Sequence, residues 1–315
     1  MIIQAKAPLR ISLLGGATDN DAYTKLKVAI VVNATINLYQ HVTLCVDEAD
    51  EACPVAGGCL GESELPEGAN KDFAKLILRD LHDKAWVSSS CDAKLGAGLG
   101  SSAAFAVALF GAISRYKGIA LNKDMIAGSA FLAEKKMGWV TGRQDQYASC
   151  YGGVNVLEIG EKVTVTPLGR GFLEPLQDAL CLFYVGERER HIPNTFALTA
   201  EQVKALDLIR EMTVGSLDYL IKKDWYNYGR LLDLYWQEKK KTNIHITTET
   251  IDNIYDYAKE NGAVGGKVCG AGSGGYMLFV VQPEKKAEFI LKMKERGIAN
   301  TDFSFSWDGL STRIL

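Results

Sequence analysis

Residues 95–104 combine a glycine-rich loop with two serines, and such a combination can bind a phosphate group. Glycines alternate with small apolar residues, and Ser101 and Ser102 follow where an apolar helix pattern begins. Glycines let the backbone approach an anion closely, and free N–H groups at a helix start stabilise negative charge. No lysine precedes the serines, which excludes a Walker A loop. Taken alone, the segment predicts either a phosphate site or a tight loop before a core helix.

Residues 7–19 form a second candidate segment, in which a strand pattern runs into a double-glycine turn. Apolar and polar residues alternate there, which predicts a strand with one polar face. Arg10 therefore projects from a strand, and Thr18 and Asp19 lie on the turn. A carboxylate in that place can accept hydrogen bonds from sugar hydroxyls. The alternative is an ordinary surface ion pair between Arg10 and Asp19.

Residues 265–276 form a third glycine-rich segment. Gly270, Gly272 and Gly275 fit the G-x-G-x-x-G pattern of dinucleotide-binding folds. That pattern requires a preceding strand and a following helix. Here a helix pattern over 250–261 comes before the glycines and a strand pattern over 276–281 comes after them. The dinucleotide interpretation therefore fails on context.

The three segments together resemble the three motifs of the GHMP small-molecule kinases, in order and in spacing. The resemblance covers nearly the whole chain. Further stretches look like bacterial D-glycero-D-manno-heptose 7-phosphate kinases, namely residues 33–39, 142–148, 151–155 and 302–305 with Trp236, Lys239 and Lys240. The resemblance implies an α+β, two-domain GHMP kinase fold. Residues 1–170 would form a βαβ-containing domain with the ATP loop and the catalytic base, and residues 171–315 a ferredoxin-like α/β sandwich with the third motif.

The resemblance also implies roles for individual residues. Asp145 would be the catalytic base, with Arg10 as the strand cation beside it. Ser102 and Glu134 would hold Mg²⁺. The ATP loop would consist of Gly96, Gly98, Leu99, Gly100, Ser101, Ser102 and Ala103. The residues expected at the sugar are Thr18, Asp19, Lys267, Gly272, Gly274 and Gly275.

Two of these roles have a structural alternative. Glu134 stands one position later than the family spacing predicts, with Ala133 at the expected place, and one helical position is a rotation of about 100°. The alternative is a solvated glutamate beside Lys135 and Lys136. Asp145 has the alternative of a helix N-cap.

A phosphate already on the sugar would need a cation to offset its charge. Lys267 lies beside the third glycine motif, so we expect it to face the cleft between the domains and to bind that phosphate. Arg188 and Arg190 are also candidates, but they do not align with the family pattern, and we expect them at the surface.

The implied activity is ATP- and Mg²⁺-dependent phosphorylation of the anomeric hydroxyl of a sugar by direct in-line transfer. The expected substrate is D-glycero-D-manno-heptose 7-phosphate, and the product would be its 1,7-bisphosphate. One alternative is a 1-kinase for free fucose, galactose or an N-acetylhexosamine. Another is a catalytically silent sugar sensor with a GHMP fold.

Composition limits the class of protein. The chain has 315 residues, 47% hydrophobic and 23% charged, which is typical of a globular protein and long enough for two domains. A net charge of −3 gives no support for a nucleic-acid or anionic-membrane surface. No apolar run approaches the ~20 residues of a membrane span. We expect a cytoplasmic monomer or homodimer whose partner is a small-molecule sugar phosphate.

The seven cysteines are scattered without a C-x-x-C pair, so they predict neither a disulfide framework nor a zinc site. Cys53 and Cys59 are close together but have no neighbouring histidine. Residues 47–70 are rich in Gly, Glu and Pro, which predicts an irregular surface excursion.

Periodicity predicts the remaining elements. The predicted strands cover 6–14, 28–33, 38–46, 153–159, 162–167, 180–185, 276–281 and 301–307. The predicted helices cover 71–83, 101–117, 123–137, 199–222, 225–241, 248–261 and 284–296.

Overall fold

The computed structural model of the chain describes residues 1–47, 69–79, 81, 84–188 and 197–315. Most of the predicted excursion at 47–70, with Cys53 and Cys59, and also Arg190 lie outside the described residues. The strands are β1 (Ile2–Leu14), β2 (Ala29–Asp47), β3 (Lys84–Cys91), β4 (Val154–Ile159), β5 (Val163–Leu168), β6 (Leu180–Tyr184), β7 (Ala263–Val268), β8 (Tyr276–Val281) and β9 (Ser311–Ile314).

The helices of the described part of the chain alternate irregularly with these strands. They are α1 (Asp21–Thr24), α2 (Ala69–Leu78), α3 (Ser101–Tyr116), α4 (Lys123–Lys136), α5 (Gln144–Tyr151), α6 (Arg170–Leu173), α7 (Leu176–Ala179), α8 (Ala200–Lys222), α9 (Trp225–Thr242), α10 (Glu249–Glu260) and α11 (Lys286–Glu295). None of them is long and apolar enough to cross a membrane.

The first sheet has the order β5-β4-β2-β1-β9, and β3 pairs with β2. Its centre is the antiparallel pair β1 and β2, with Ile11 opposite Ala34. Helix α3 packs against both strands. Every residue of β1 from Ala7 onward is buried, so its polar side chains point into the protein rather than into water.

The second sheet has the order β6-β8-β7, and all six residues of β8 are buried. Helix α9 lies so close against β7 that a Cβ at Gly265 would stand 2.0 Å from the carbonyl oxygen of Gly229. This backbone contact explains Gly265, whereas a Cβ at the adjacent Gly266 would meet Phe279 of β8 at 2.4 Å. The predicted α+β architecture with helices and a small sheet in the second half is confirmed. The division at 170/171 stays a prediction.

Several predicted elements differ from the structure. The strands expected over 28–33 and 38–46 are one strand, β2, and both β3 and β7 were not predicted. Residues 301–307 form no regular strand, and they make one bridge, between Phe305 and Ile36. The chain then returns to the first sheet, where β9 pairs with β1. Cys45 is disulfide-bonded, which the cysteine spacing did not predict.

Candidate active site

Arg10 and Asp145 form the centre of the candidate site. Arg10 lies on β1 at an irregularity in the pairing with β2, and its side chain is 4% exposed. Its Nε donates to Oδ1 of Asp145 at 2.7 Å, and its Nη2 donates to Oδ2 at 2.6 Å. This two-point geometry is the strong form of a guanidinium–carboxylate pair. Burial opposes the charge on Arg10, but Asp145 offsets it, so the pKa of Arg10 is raised.

Asp145 lies in the first turn of α5 and keeps a quarter of its side chain exposed. It does not cap that helix, because the N-cap is Arg143 and makes no side-chain cap bond. The helix-cap alternative is therefore wrong. Each carboxylate oxygen has a second lone pair, so the ion pair leaves acceptor capacity for a ligand on the exposed side.

The second glycine segment wraps around this ion pair. Nη1 of Arg10 donates to the carbonyl of Gly98 at 2.6 Å, and the backbone N–H of Arg10 donates to Leu99 at 3.0 Å. Gly96, Gly98 and Gly100 all have positive φ, which only glycine adopts at low cost. Helix α3 follows with Gly100 as its N-cap and no side-chain cap bond. Its first N–H groups thus remain available to an anion beside Asp145.

Ser102 and Glu134 meet next to this helix start. The hydroxyl of Ser102 donates to Oε1 of Glu134 at 2.7 Å, and the hydroxyl of Thr141 donates to Oε2 at 2.7 Å. The amide of Gln146 donates to the same oxygen. Glu134 is 2% exposed, so it is not the solvated glutamate of the alternative interpretation. Burial raises the pKa of Glu134 despite these bonds.

Glu134 is thus a buried carboxylate whose described partners are neutral hydroxyl and amide groups. Magnesium prefers hard oxygen ligands and is commonly held by one or two carboxylates together with phosphates. Ser102 and Glu134 together fit this preference. No group of three or more His, Cys, Asp or Glu that could hold a metal occurs in the described ranges.

Asp19 lies on the turn after β1 and faces Asp145. Its Oδ2 accepts a long bond from the backbone N–H of Gln144 at 3.4 Å. Burial, together with the charge of Asp145, raises the pKa of Asp19 to about 6. Thr18 is fully buried, and its hydroxyl donates to the carbonyl of Gly15 at 2.7 Å. Thr18 therefore stabilises the turn through this hydrogen bond, whereas the carboxylate of Asp19 lies near Asp145 in the site.

The third glycine segment docks onto the second one, backbone against backbone. A Cβ at Gly98 would stand 2.5 Å from the carbonyl oxygen of Cys269, and one at Gly275 would stand 2.2 Å from that of Ala97. The N–H of Tyr276 donates to Ala97 at 3.0 Å. Gly272 and Gly274 lie equally close to Ile246 and to Glu187. The two segments form one continuous wall of the site, and contact of these glycines with a sugar stays a prediction.

Lys267 departs from its expected place. Its side chain has no exposed surface, and its Nζ lies 4.9 Å from the centre of the Tyr235 ring without a hydrogen-bond partner. Burial and the nearby charge of Lys239 lower its pKa well below the ordinary value. The expectation that Lys267 faces an open cleft is therefore wrong. The reason is that β7 is covered by α9, a contact that the local sequence does not reveal.

Arg188 was expected at the surface, yet it joins the two glycine segments. Its Nε donates to the carbonyl of Gly272 at 3.0 Å, and its Nη1 donates to that of Gly96 at 3.3 Å. Burial lowers its pKa, and the charge of Arg10 lowers it further. The available sequence signal was a cation in the loop that follows the buried strand β6. The sequence also did not reveal that Thr141 and Gln146 donate hydrogen bonds to Glu134, although both lie near Asp145 in the chain.

Comparisons with known proteins agree with this arrangement. The GHMP kinases N terminal domain matches residues 70–153, and the GHMP kinases C terminal domain matches residues 216–299, together just over half of the chain. The D-glycero-alpha-D-manno-heptose 7-phosphate kinase of Campylobacter jejuni is 29% identical over 98% of this chain and 98% of its own length. A mevalonate kinase of Saccharolobus solfataricus is 26% identical over 100% of both chains.

A solved structure resembles the whole chain as well. It is a D-glycero-D-manno-heptose 1-phosphate kinase from Bacteroides thetaiotaomicron, with a TM-score of 0.79, 25% identity and 99% of each chain covered. Both family domains match in the expected order, and full-length relatives and a full-length structure agree with them. The chain belongs to the GHMP kinases.

Proposed function

We propose that the protein transfers the γ-phosphoryl group of ATP to the anomeric hydroxyl of a sugar. The observation that carries this proposal is the two-point pair of Arg10 and Asp145 beside the uncapped start of α3. Phosphoryl transfer depends mainly on positioning and on charge stabilisation. The site places the Asp145 carboxylate, which can accept a proton, beside the N–H groups at the start of α3, which can donate to a phosphate.

Asp145 would act as the base for the sugar hydroxyl. An anomeric hydroxyl is more acidic than an ordinary alcohol, so a carboxylate within hydrogen-bond reach can take its proton during attack. Arg10 would hold this carboxylate in place and would stabilise charge on the transferring group. Because both oxygens of Asp145 are fixed by Arg10, the free lone pairs would point in a defined direction.

The loop from Gly96 to Ser102 would hold the phosphates of ATP with its N–H groups. Ser102 and Glu134 would hold Mg²⁺, which when bound would neutralise charge on the phosphates. The buried Glu134 carboxylate supports this assignment, since no cation among the described residues pairs with it. Thr141 and Gln146 would orient its second oxygen.

For the substrate, we propose a sugar that already carries a phosphate, with D-glycero-D-manno-heptose 7-phosphate as the leading candidate. The full-length similarity to a kinase named for that substrate supports this choice. Asp19 would accept hydrogen bonds from the sugar hydroxyls. Arg188 replaces the buried Lys267 as the candidate cation for the remote phosphate, because three of its five N–H donors are uncommitted in the bonds above.

An acceptor screen tests the proposal. Purified protein with MgATP is offered D-glycero-D-manno-heptose 7-phosphate, the unphosphorylated heptose, mannose 6-phosphate, fucose, galactose and mevalonate, and product is located by phosphorus NMR. We expect a 1-phosphate on the heptose phosphate. The Asp145→Asn variant should lower turnover by ~10²–10⁴ while ATP binding by calorimetry is retained.

The other outcomes of the screen are equally informative. Turnover of free sugars alone would reject the phosphorylated substrate. Sugar binding without transfer to any acceptor would reject the kinase in favour of a sensor. An Asp145→Asn variant with wild-type single-turnover rates would show that Asp145 is not the base.

A further inference from the structure

Lys239 is a buried lysine that the catalytic proposal does not use. It lies near the end of α9 and is 3% exposed. Its Nζ donates to the carbonyl of Gly270 at 2.7 Å and to that of Val268 at 3.3 Å. In the described part of the chain no carboxylate forms an ion pair with it. Burying an ammonium that is held only by neutral carbonyls costs free energy, because no opposite charge offsets its desolvation.

The two carbonyls that Lys239 holds flank a third one that touches the phosphate loop. Val268 and Gly270 stand on either side of Cys269, whose carbonyl oxygen would lie 2.5 Å from a Cβ at Gly98. Gly270 packs on the same residue, since its own Cβ would lie 2.8 Å from the Cα of Gly98. Lys239 thus fixes the stretch of backbone against which Gly98 rests.

Gly98 is in turn bonded to the reaction centre. Its carbonyl accepts from Nη1 of Arg10 at 2.6 Å, and Nε of Arg10 donates to Asp145. A continuous series of contacts therefore runs from Lys239 through Gly270 and Gly98 to Arg10. No atom of Lys239 takes part in the contacts proposed for ATP or for the sugar.

We infer that Lys239 is a positioning residue, whose positive charge holds the third glycine segment against the phosphate loop and thereby shapes the ATP site. This inference rests on the proposed function only for its consequence on ATP binding. The docking of the two segments is a property of the protein without ligand.

The surroundings of Lys239 make this device sensitive to pH. Its pKa is lowered to about 8, mainly by burial; Arg10 on β1 and Arg188 after β6 also contribute to the lowering, whereas Cys269 and Asp19 oppose it. Lys267 on β7 also faces it. The aromatic ring of Trp236 lies 6.0 Å from the Nζ. Deprotonation would remove the charge from both bonds to the carbonyls, so docking should weaken as the pH rises through about 8.

The chain offers a matched control in the next residue. Lys240 lies on the same helix, and its Nζ is also 6.0 Å from the Trp236 ring. It is more exposed and pairs with Asp252 at 3.5 Å, so it makes no contact with the glycine segments. Loss of Lys240 removes one charge from the same helix turn without touching the docking contacts.

The test compares Lys239→Met, Lys239→Arg and Lys240→Met with the wild type in two measurements. Amide hydrogen exchange over residues 95–102 reports docking without any ligand. MgATP affinity by calorimetry between pH 6.5 and 9.5 reports the site. We expect faster exchange and affinity weakened about tenfold or more in Lys239→Met, from the usual strength of charge-assisted bonds, and wild-type behaviour in Lys240→Met. Lys239→Arg keeps its charge at every pH and should restore docking.

The pH dependence separates positioning from a merely structural role. Wild-type affinity should fall with a midpoint near pH 8, and this step should be absent from Lys239→Met and from Lys239→Arg. Unchanged exchange in Lys239→Met, or an identical pH step in that variant, would overturn the inference. Weaker ATP binding with unchanged exchange would assign a direct contact instead. A wild type that binds no ATP would reject the proposed function, while the exchange experiment would still decide the docking.

Discussion

At the scale of single residues, the three carboxylates of the site differ in what holds them. Asp145 is fixed by a buried guanidinium, Glu134 by neutral hydroxyl and amide donors, and Asp19 by one long amide bond. The same chemical group is thereby prepared for different tasks. Asp145 stays partly exposed, Glu134 is buried without a cationic partner among the described residues, and Asp19 has a pKa raised to about 6.

The raised pKa of Asp19 leads to a prediction about pH. Asp19 has a pKa of about 6 in the folded protein, against an ordinary value of 3.8. As the pH falls through about 6 the carboxylate gains a proton and becomes a poorer acceptor for sugar hydroxyls. The KM for the sugar should therefore rise below pH 6, and Asp19→Asn should remove this dependence. Steady-state kinetics between pH 5 and 8 measures both.

The raised pKa of Asp19 also makes the stability of the fold depend on pH. Because folding favours the protonated form, the ionised carboxylate destabilises the fold above pH 6, and this cost fades as the pH falls toward 4. Asp19→Asn should thus raise Tm most at pH 7–8 and least near pH 4. A gain that is equal at all pH values would contradict the raised pKa.

At the scale of elements, the glycine segments show which parts of the site local sequence can predict. Spacing of glycines and serines is local, so the loop can be identified from the amino-acid sequence alone, and strand alternation marks Arg10, whereas Asp145 is indicated only by the resemblance to the GHMP kinases. The burial of Lys267 and the bridging by Arg188 depend on how α9 and β6 pack, and no local pattern carries that information. Strand β7 was missed for the same reason, since Gly265 allows the close approach of α9 and Gly266 lies against Phe279 of β8.

Two glycines of the phosphate loop allow docking to be separated from backbone strain. Gly96 and Gly98 both have positive φ, so an alanine at either costs about 1–2 kcal/mol. Only at Gly98 would the new Cβ also meet backbone, 2.5 Å from the carbonyl of Cys269, whereas nothing lies within 4 Å at Gly96. Gly98→Ala should weaken ATP binding far more than Gly96→Ala. Calorimetry on the two folded variants measures this, and equal losses would show that docking contributes nothing.

At the scale of the whole molecule, the end of the chain belongs physically to its beginning. Ser306 donates its N–H to Thr35 at 2.9 Å and accepts from Gly153 at 2.8 Å, and Ser304 exchanges two bonds with Asn37. Strand β9 then covers the edge of β1. The resemblance singled out residues 302–305 without a reason, and these bonds supply one. Periodicity could not predict them, because the partners are more than 150 residues apart in the chain.

This closure predicts how the first half behaves in isolation. A fragment of residues 1–170 lacks β9 and the bonds of Ser304 and Ser306, so it should melt without a cooperative transition.

The N–H of Leu315 donates to the carbonyl of Ile2 at 3.0 Å, which places the two ends of the chain side by side. A permuted fragment, in which residues 297–315 are joined to Met1 by a short glycine–serine linker and followed by residues 2–170, should therefore regain a cooperative melt. The control carries 297–310 only and leaves the edge of β1 unpaired, so it should melt less cooperatively and at a lower temperature than the permuted fragment. Circular dichroism melts compare the three, and a plain 1–170 fragment as stable as the permuted one would mean that the returning segment is dispensable for the first sheet.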